Sequence, residues 1–182
     1  MPNWCSNKLT LRHADSAMID RAVSAFSNGA LFNEFVPCPV ELQDTMNGFF
    51  SDESAQSELD AKRAENVTKF GYSSWYDFNI ANWGTKWDVG SNDETVERND
   101  VNTVTLHFDT AWAPPIDFYH ALVSQDFEVD AMYNEFVMGF CGEYFNGSDS
   151  YIEYGTGNMD DIPDDVDAEF AIRESLSEWA ED

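Results

Sequence analysis

Three cysteines, three histidines and 35 carboxylates are the side chains through which this chain could do chemistry. A cysteine nucleophile works as its thiolate, which a helix N-terminus or a nearby cation favours. Cys5 falls in a strand-like run, Cys38 lies between Pro37 and Pro39, and Cys141 falls in a predicted hairpin. None of these settings lowers a thiol pKa. His13, His107 and His120 are far apart, and His107 alternates to the side opposite Leu106 and Phe108. Only tertiary contact would make a Cys/His pair, so nucleophilic catalysis is not expected. The cysteine spacing fits no zinc pattern, and an odd count without a signal peptide suggests reduced thiols.

Carboxylates offer metal binding as a second chemistry. The run 160–169 carries Asp160, Asp161, Asp164, Asp165, Asp167 and Glu169. Calcium takes oxygen ligands from a turn, but its helix–loop–helix site wants alternating acids and a central glycine. Here Pro163 interrupts the run and no glycine is present. The favoured reading is a solvated helix start, with acids near the positive end of the helix dipole. Gly155-Thr156-Gly157 lacks the strand before it and the lysine after it that a phosphate loop requires. No catalytic residue, metal site or cofactor is therefore expected.

The acids also suggest a binding chemistry. Glu128 and Asp130 are two apart in a predicted strand, a spacing of about 6.7 Å on one face. Glu174 and Glu178 are four apart in a predicted helix, about 6 Å, with Glu181 or Asp182 continuing the row. Fixed carboxylates at such a pitch imitate successive phosphates of a nucleic-acid strand. Asp149 and Glu153, in the predicted hairpin, and the acids of 160–169 extend the set. The bland alternative is an acidic coat that only solubilises this face.

The charge is lopsided in a way that bears on this choice. The whole chain carries −26, from 9 Lys+Arg and 35 Asp+Glu. Residues 1–100 hold eight bases and sixteen acids, and residues 101–182 hold nineteen acids and one base, Arg173. The halves thus sum to −8 and −18. The second half repels nucleic acid and anionic membrane and attracts basic surfaces. At 15% aromatic and 43% hydrophobic, the chain is nevertheless built to fold. No apolar stretch approaches the roughly 18 residues that span a bilayer, so a cytosolic protein is expected.

The elements that would position these residues follow from periodicity and breakers. Residues 3–12 alternate as a strand. Ser16 is a candidate N-cap for a helix over 17–27, which Asn28-Gly29 stops. Pro37 and Pro39 argue against regular structure in the loop that follows. A polar helix over 52–69 and a shorter one over 74–82 read as an insertion. A short strand is predicted at 85–89, a polar loop at 90–100, and a strand at 101–109 with Val104, Leu106 and Phe108 inward. Pro114-Pro115 opens a helix over 115–124, followed by a strand at 126–133. A hairpin over 135–145 and 150–154 would close through Asn146-Gly147-Ser148. A turn-rich linker leads to an acidic helix over 164–180, with Phe170, Ile172, Leu176 and Trp179 as its buried stripe. Without the additions the order is βαββαβ. It predicts an α+β, ferredoxin-like sandwich over 1–155 (insertion about 52–82), with an acidic linker and C-terminal helix over 156–182 packed on or beside it.

Three segments carry a family resemblance: Met1-Pro2-Asn3-Trp4-Cys5-Ser6-Asn7, Asn82-Trp83-Gly84-Thr85-Lys86-Trp87-Asp88, and Phe108-Asp109-Thr110-Ala111-Trp112-Ala113-Pro114-Pro115. Over residues 1–145 the chain resembles the YubB-type family of phage- and plasmid-borne proteins with a ferredoxin-like domain. The resemblance implies that fold and a mobile-element setting, and no catalytic residues. In the second segment, Trp83 and Trp87 can bury large rings at a corner, with Lys86 paired to Asp88 or Asp109. That is the structural reading. In the other, Trp83, Lys86, Trp87 and Trp112 line a cleft, the indoles stacking on a base or sugar and Lys86 meeting a phosphate.

The leading expectation is a non-enzymatic phage or plasmid accessory protein, cytoplasmic and counter-defensive. It would bind a basic, nucleic-acid-handling host protein through acids at 128, 130, 149, 153, 160, 161, 164, 165, 167, 169, 174 and 178. Direct nucleic-acid binding and membrane contact are not expected, and the oligomeric state stays open. The alternative is a nucleotide or small-molecule binding module, or a cryptic enzyme, built on the Trp83/Lys86/Trp87 corner.

Overall fold

The computed structural model describes residues 3–90 and 95–179. Strand β1 (Trp4–Arg12) puts Cys5, Asn7, Leu9 and Leu11 on its buried side. Helix α1 (Ser16–Ser27) buries Ile19, Ala22, Ala25 and Phe26. Its cap is Asp15, not Ser16: the Asp15 carboxylate accepts from the Ala17 amide at 2.9 Å. Two short helices, α2 (Leu31–Phe35) and α3 (Val40–Gln43), follow. The prolines do not exclude α3. It starts directly after Pro39, where a missing N–H costs nothing.

The predicted insertion is helix α4 (Glu53–Phe70), capped by Asp52 and ended by Gly71, and helix α5 (Trp75–Trp83), ended by Gly84. The predicted strand at 85–89 does not form. Gly84 turns left-handed (φ 82°), and the Asp88 carboxylate accepts from the Phe32 and Asn33 amides at the start of α2. That cap requires a bent chain. The predicted polar loop is instead partly a strand, β2 (Thr95–Asp100), paired antiparallel with β3 (Thr103–Ala111). Residues 91–94 of that loop lie outside the described residues, as do Met1 and Pro2 of the first motif.

Helix α6 (Ile116–Val123) and strand β4 (Glu128–Glu135) complete the basic unit. The sheet then grows by β5 (Phe140–Phe145) and β6 (Ser148–Glu153). Asn146 and Gly147 both take positive φ (43° and 101°), the backbone of a two-residue hairpin turn. The strand order is β2-β3-β1-β4-β5-β6, with every neighbour antiparallel. Its first four strands have the ferredoxin-like order. On one face α1, α2, α5 and α6 close a core of Leu9, Leu11, Phe26, Phe32, Leu106, Phe108, Phe118 and Val129.

The tail closes the other face. A 3₁₀ turn at Met159–Asp161 leads to α7 (Asp164–Phe170) and α8 (Ile172–Trp179). The single predicted helix is broken at Ala171, which is left-handed at φ 51°. Asp167 stabilises the break by accepting from the Arg173 amide at 2.8 Å. The buried stripe is Ile162, Val166, Ile172 and Leu176, packed on Cys141 and Ile152 of the sheet. Of the predicted stripe, Ile172 and Leu176 are buried, Phe170 packs partly buried on the same cluster, and Trp179, the last residue of α8, is 69% exposed. Ala180, Glu181 and Asp182 lie outside the described residues, so the expected extension of the acidic row is not described. Among the described residues, no helix is long and apolar enough to cross a membrane.

Candidate functional site

The predicted acidic set does not form one face. Glu128 and Asp130 point to the tail side of the sheet, opposite buried Val129 and Ala131. Asp149 and Glu153 point to the helix side, since Asp149 pairs across with core residue Tyr144 and accepts from Tyr133 Oη at 2.8 Å. Several acids serve the fold. Glu128 pairs with Arg12 at 2.6 Å, and Asp164 and Asp167 hold Arg173 at 2.9 and 3.2 Å. Glu169 holds Lys8 and faces the His107 ring at 3.6 Å. Asp160, Asp161, Asp165, Glu174 and Glu178 stand exposed on the tail layer.

The nine cations are all engaged within the molecule. Lys8, Arg12, Arg21, Arg63, Lys69, Arg98 and Arg173 meet carboxylates. Lys62 donates to the Asp44 carbonyl at 3.1 Å. Lys86 does not pair with Asp88 or Asp109 as expected. Its ammonium lies over the rings of Trp87 (4.2 Å to the centroid), Trp112 (5.4 Å) and Tyr76 (5.9 Å). Asp88 is taken by the amides of α2, and Asp109 accepts from Ser6 Oγ at 2.7 Å. A lysine among aromatic faces is held by the ring quadrupoles.

The two tryptophans of the corner have different lives. Trp83 is 4% exposed, packs on Phe32 and donates its indole N–H to the Val36 carbonyl at 2.9 Å. Trp87 is 41% exposed and lies 6.0 Å from the Trp4 ring. Both line a cavity of about 410 Å³, together with Trp75, Asn79 and the polar groups of Asn33, Gln43 and Asp88. Lys86 and Trp112 stand at the corner rather than on this lining.

Asn79 is the unusual member. It is 6% exposed, and its Nδ2 donates to the Lys86 carbonyl at 2.9 Å, which fixes the orientation of the amide. Its Oδ1 is buried without a hydrogen-bond partner. An unsatisfied buried acceptor costs about 1–3 kcal/mol. Sequence reasoning missed Asn79 and Trp75. Their place in a Trp-Tyr-Asp-Phe-Asn-Ile-Ala-Asn-Trp helix (75–83), with aromatic and amide residues interleaved, was the available signal.

All three thiols are buried. Burial pushes the pKa of Cys38, at the cavity wall, up to about 11, and burial likewise pushes Cys141 up to about 11. Cys5 is raised further, chiefly by burial, with the charge of Glu135 adding. His120 Nδ1 lies 3.0 Å from Tyr144 Oη, remote in role from any cysteine. Among the described residues no group of His, Cys, Asp and Glu is arranged to hold a metal ion.

A family model described as a ferredoxin-like domain in Api92-like protein matches residues 82–174. The chain is also similar to a solved structure, the crystal structure of a protein api92 from Yersinia pseudotuberculosis. That chain is 14% identical, with 87% of this chain and 100% of that one covered and a TM-score of 0.48. A comparison with curated proteins gives no match.

Proposed function

The chain belongs to the family of Api92-like proteins through its ferredoxin-like domain, and from that premise we propose that it is a non-enzymatic binding protein whose partner is a basic, nucleic-acid-handling protein. The observation that carries this reading is the fate of the cations. All nine Lys and Arg are engaged inside the molecule, in a chain of net charge −26. Direct binding to phosphates draws on cations that release counterions, and seven of the nine here already face carboxylates. What projects from the tail layer is anionic.

The docked tail supports the same reading. Ile162, Val166, Ile172 and Leu176 anchor the layer to the sheet. Asp160, Asp161, Asp165, Glu174 and Glu178 are therefore displayed on a packed support rather than on a loose acidic strand. Preorganised charge loses less entropy on binding. The layer also lies over part of the sheet face that related folds use for RNA, and Glu169 neutralises Lys8 there. The fuller form of the proposal is an accessory protein of a phage or plasmid. It acts in the host cytosol and occupies the nucleic-acid groove of a defence nuclease or restriction component.

The test is competitive capture. The immobilised protein should recover basic proteins from host lysate at low salt. Duplex DNA should displace them, and a variant with Asp160, Asp161, Asp165, Glu174 and Glu178 changed to their amides should recover far less. Equal recovery by both forms, or complexes indifferent to DNA, would overturn the reading.

A further inference from the structure

We infer that the part of the sheet face left open beside the tail layer, centred on Phe145, is where an arginine side chain of the basic partner docks. This rests on the reading above and names the group by which that partner is held. Strand register builds the site. Phe145 stands directly opposite Asp130 across β5 and β4. Glu143 is two residues before Phe145 on the same strand, so all three share the tail-side face. At sheet spacings Asp130 lies about 5 Å from Phe145 across the strands, and Glu143 about 7 Å from it along β5. Thr10 of β1 and Ser148 of β6 end the same cross-strand row. The tail's apolar anchor packs on Met132, Cys141 and Ile152, and Phe145 is left 55% exposed.

Charge selects the occupant. The lysine and arginine of β1 on this face are already matched, Lys8 by Glu169 and Arg12 by Glu128. Asp130 and Glu143 are both partly shielded from solvent, and among the described residues neither pairs with a lysine or arginine. Two such carboxylates on one face repel each other, and a cation between them relieves that cost. A phosphate would add to the repulsion, and an apolar group would bury the carboxylates unpaired. Shape then separates the cations. A guanidinium is flat: it can lie on the Phe145 ring and send N–H donors sideways to both carboxylates. An ammonium is a compact point charge on a flexible stem and lacks that planar fork. The Arg12–Glu128 pair, one row along on the same face, shows a guanidinium held by a carboxylate of this sheet.

The experiment titrates the intact protein with capped tetra-arginine and tetra-lysine peptides, by calorimetry and by amide NMR spectra. The buffer holds about 0.15 M salt, so that diffuse attraction to the acidic surface is screened. Saturable shifts at residues 130, 143 and 145 are expected, and the arginine peptide should bind about fivefold more tightly than the lysine one. Phe145→Ala should weaken the arginine peptide about fivefold and leave the melting temperature within about two degrees, because the ring is exposed. Asp130→Asn with Glu143→Gln should weaken it at least as much. Asp161→Asn with Asp165→Asn removes the same charge from the tail and should change it less than about twofold. The proposal is overturned if the shifts fall on the tail layer alone, if the two charge-matched pairs lose equally, or if Phe145→Ala binds as the parent does. Capture from lysate is read separately: its failure would remove the proposed partner, while the peptide titration decides the arginine site.

Discussion

The Lys8 ammonium meets the Glu169 carboxylate at 2.5 Å, joining the first strand to the end of α7 across 161 residues of chain. Both side chains are partly shielded by the tail, and His107 stands beside them on β3. This pair fastens the acidic layer to the sheet beside its apolar anchor, since Glu169 lies between Val166 and Ile172 of that cluster.

Replacing Glu169 with Gln should loosen the tail without unfolding the sheet. A partly exposed pair contributes about 1 kcal/mol at most, so the melting temperature should fall by about 2–4 °C for a chain of this size. A double-mutant cycle with Lys8→Met should then show that the two losses are not additive. Additive losses would mean the pair is incidental.

The apolar anchor should matter more. Leu176 is buried against Ile152 and its neighbours in the second core. Leu176→Ala should cost about 2–4 kcal/mol from lost burial and an unfilled cavity. Faster hydrogen exchange should be confined to 159–179. Uniform loss of protection across β1 and β3 would mean that tail and body unfold as one unit.

Trp83 and Trp87 should separate in a stability assay. Trp83→Ala removes a buried ring and leaves the Val36 carbonyl without its indole donor, a loss of about 3–5 kcal/mol. Trp87→Ala should cost under about 1 kcal/mol, because the ring is already half in solvent. Denaturant midpoints check both values.

Asp88 gives a pH dependence of defined sign. Burial raises its carboxyl pKa above the reference value of 3.8, against three backbone amides that lower it. A carboxyl whose folded pKa is raised binds its proton more readily when folded. Its contribution therefore favours the folded state at low pH and is lost as pH rises from the unfolded value through the folded one. In a comparison of unfolding free energy across pH 3.5–6, Asp88→Asn should remove this declining component. An unchanged pH profile would contradict the assignment.

Salt should stabilise the protein. At −26 the folded state repels itself, and the Debye length falls from about 10 Å at 0.1 M to about 3 Å at 1 M. The surface ion pairs lose by the same screening but are few beside 35 acids. A melting temperature that rises with sodium chloride is the expected result, and a falling one would mean that the ion pairs outweigh the repulsion.

Where a strand had one buried face, alternation made it legible. Leu9 and Leu11 of β1, and Val104, Leu106 and Phe108 of β3, marked both strands and the side that meets the helices. The topology followed from that order. β2 was illegible because all six of its residues are exposed, so its sequence carries pairing but no burial pattern. The segment 85–89 misled for the converse reason. It has strand-forming residues, yet Asp88 is spent capping a helix more than fifty residues earlier in the chain.

The candidate sites divide along the same line. The amount of acid in the second half, and its shortage of cations, are properties of the residues alone. Which acids are free was decided by folding, because Arg12, Lys8 and Arg173 choose their partners in space. Asp149 and Glu153 were placed opposite Glu128 and Asp130 by strand register. The break at Ala171, which sets the face of α8, came from the Asp167 cap. The unpartnered oxygen of Asn79 exists only because the Lys86 carbonyl arrives beside its amide. Composition and periodicity are local quantities, and they determined the fold class and the sign of the charge. Pairing, capping and the orphaned acceptor depend on contacts between distant residues, so only the tertiary structure could decide them.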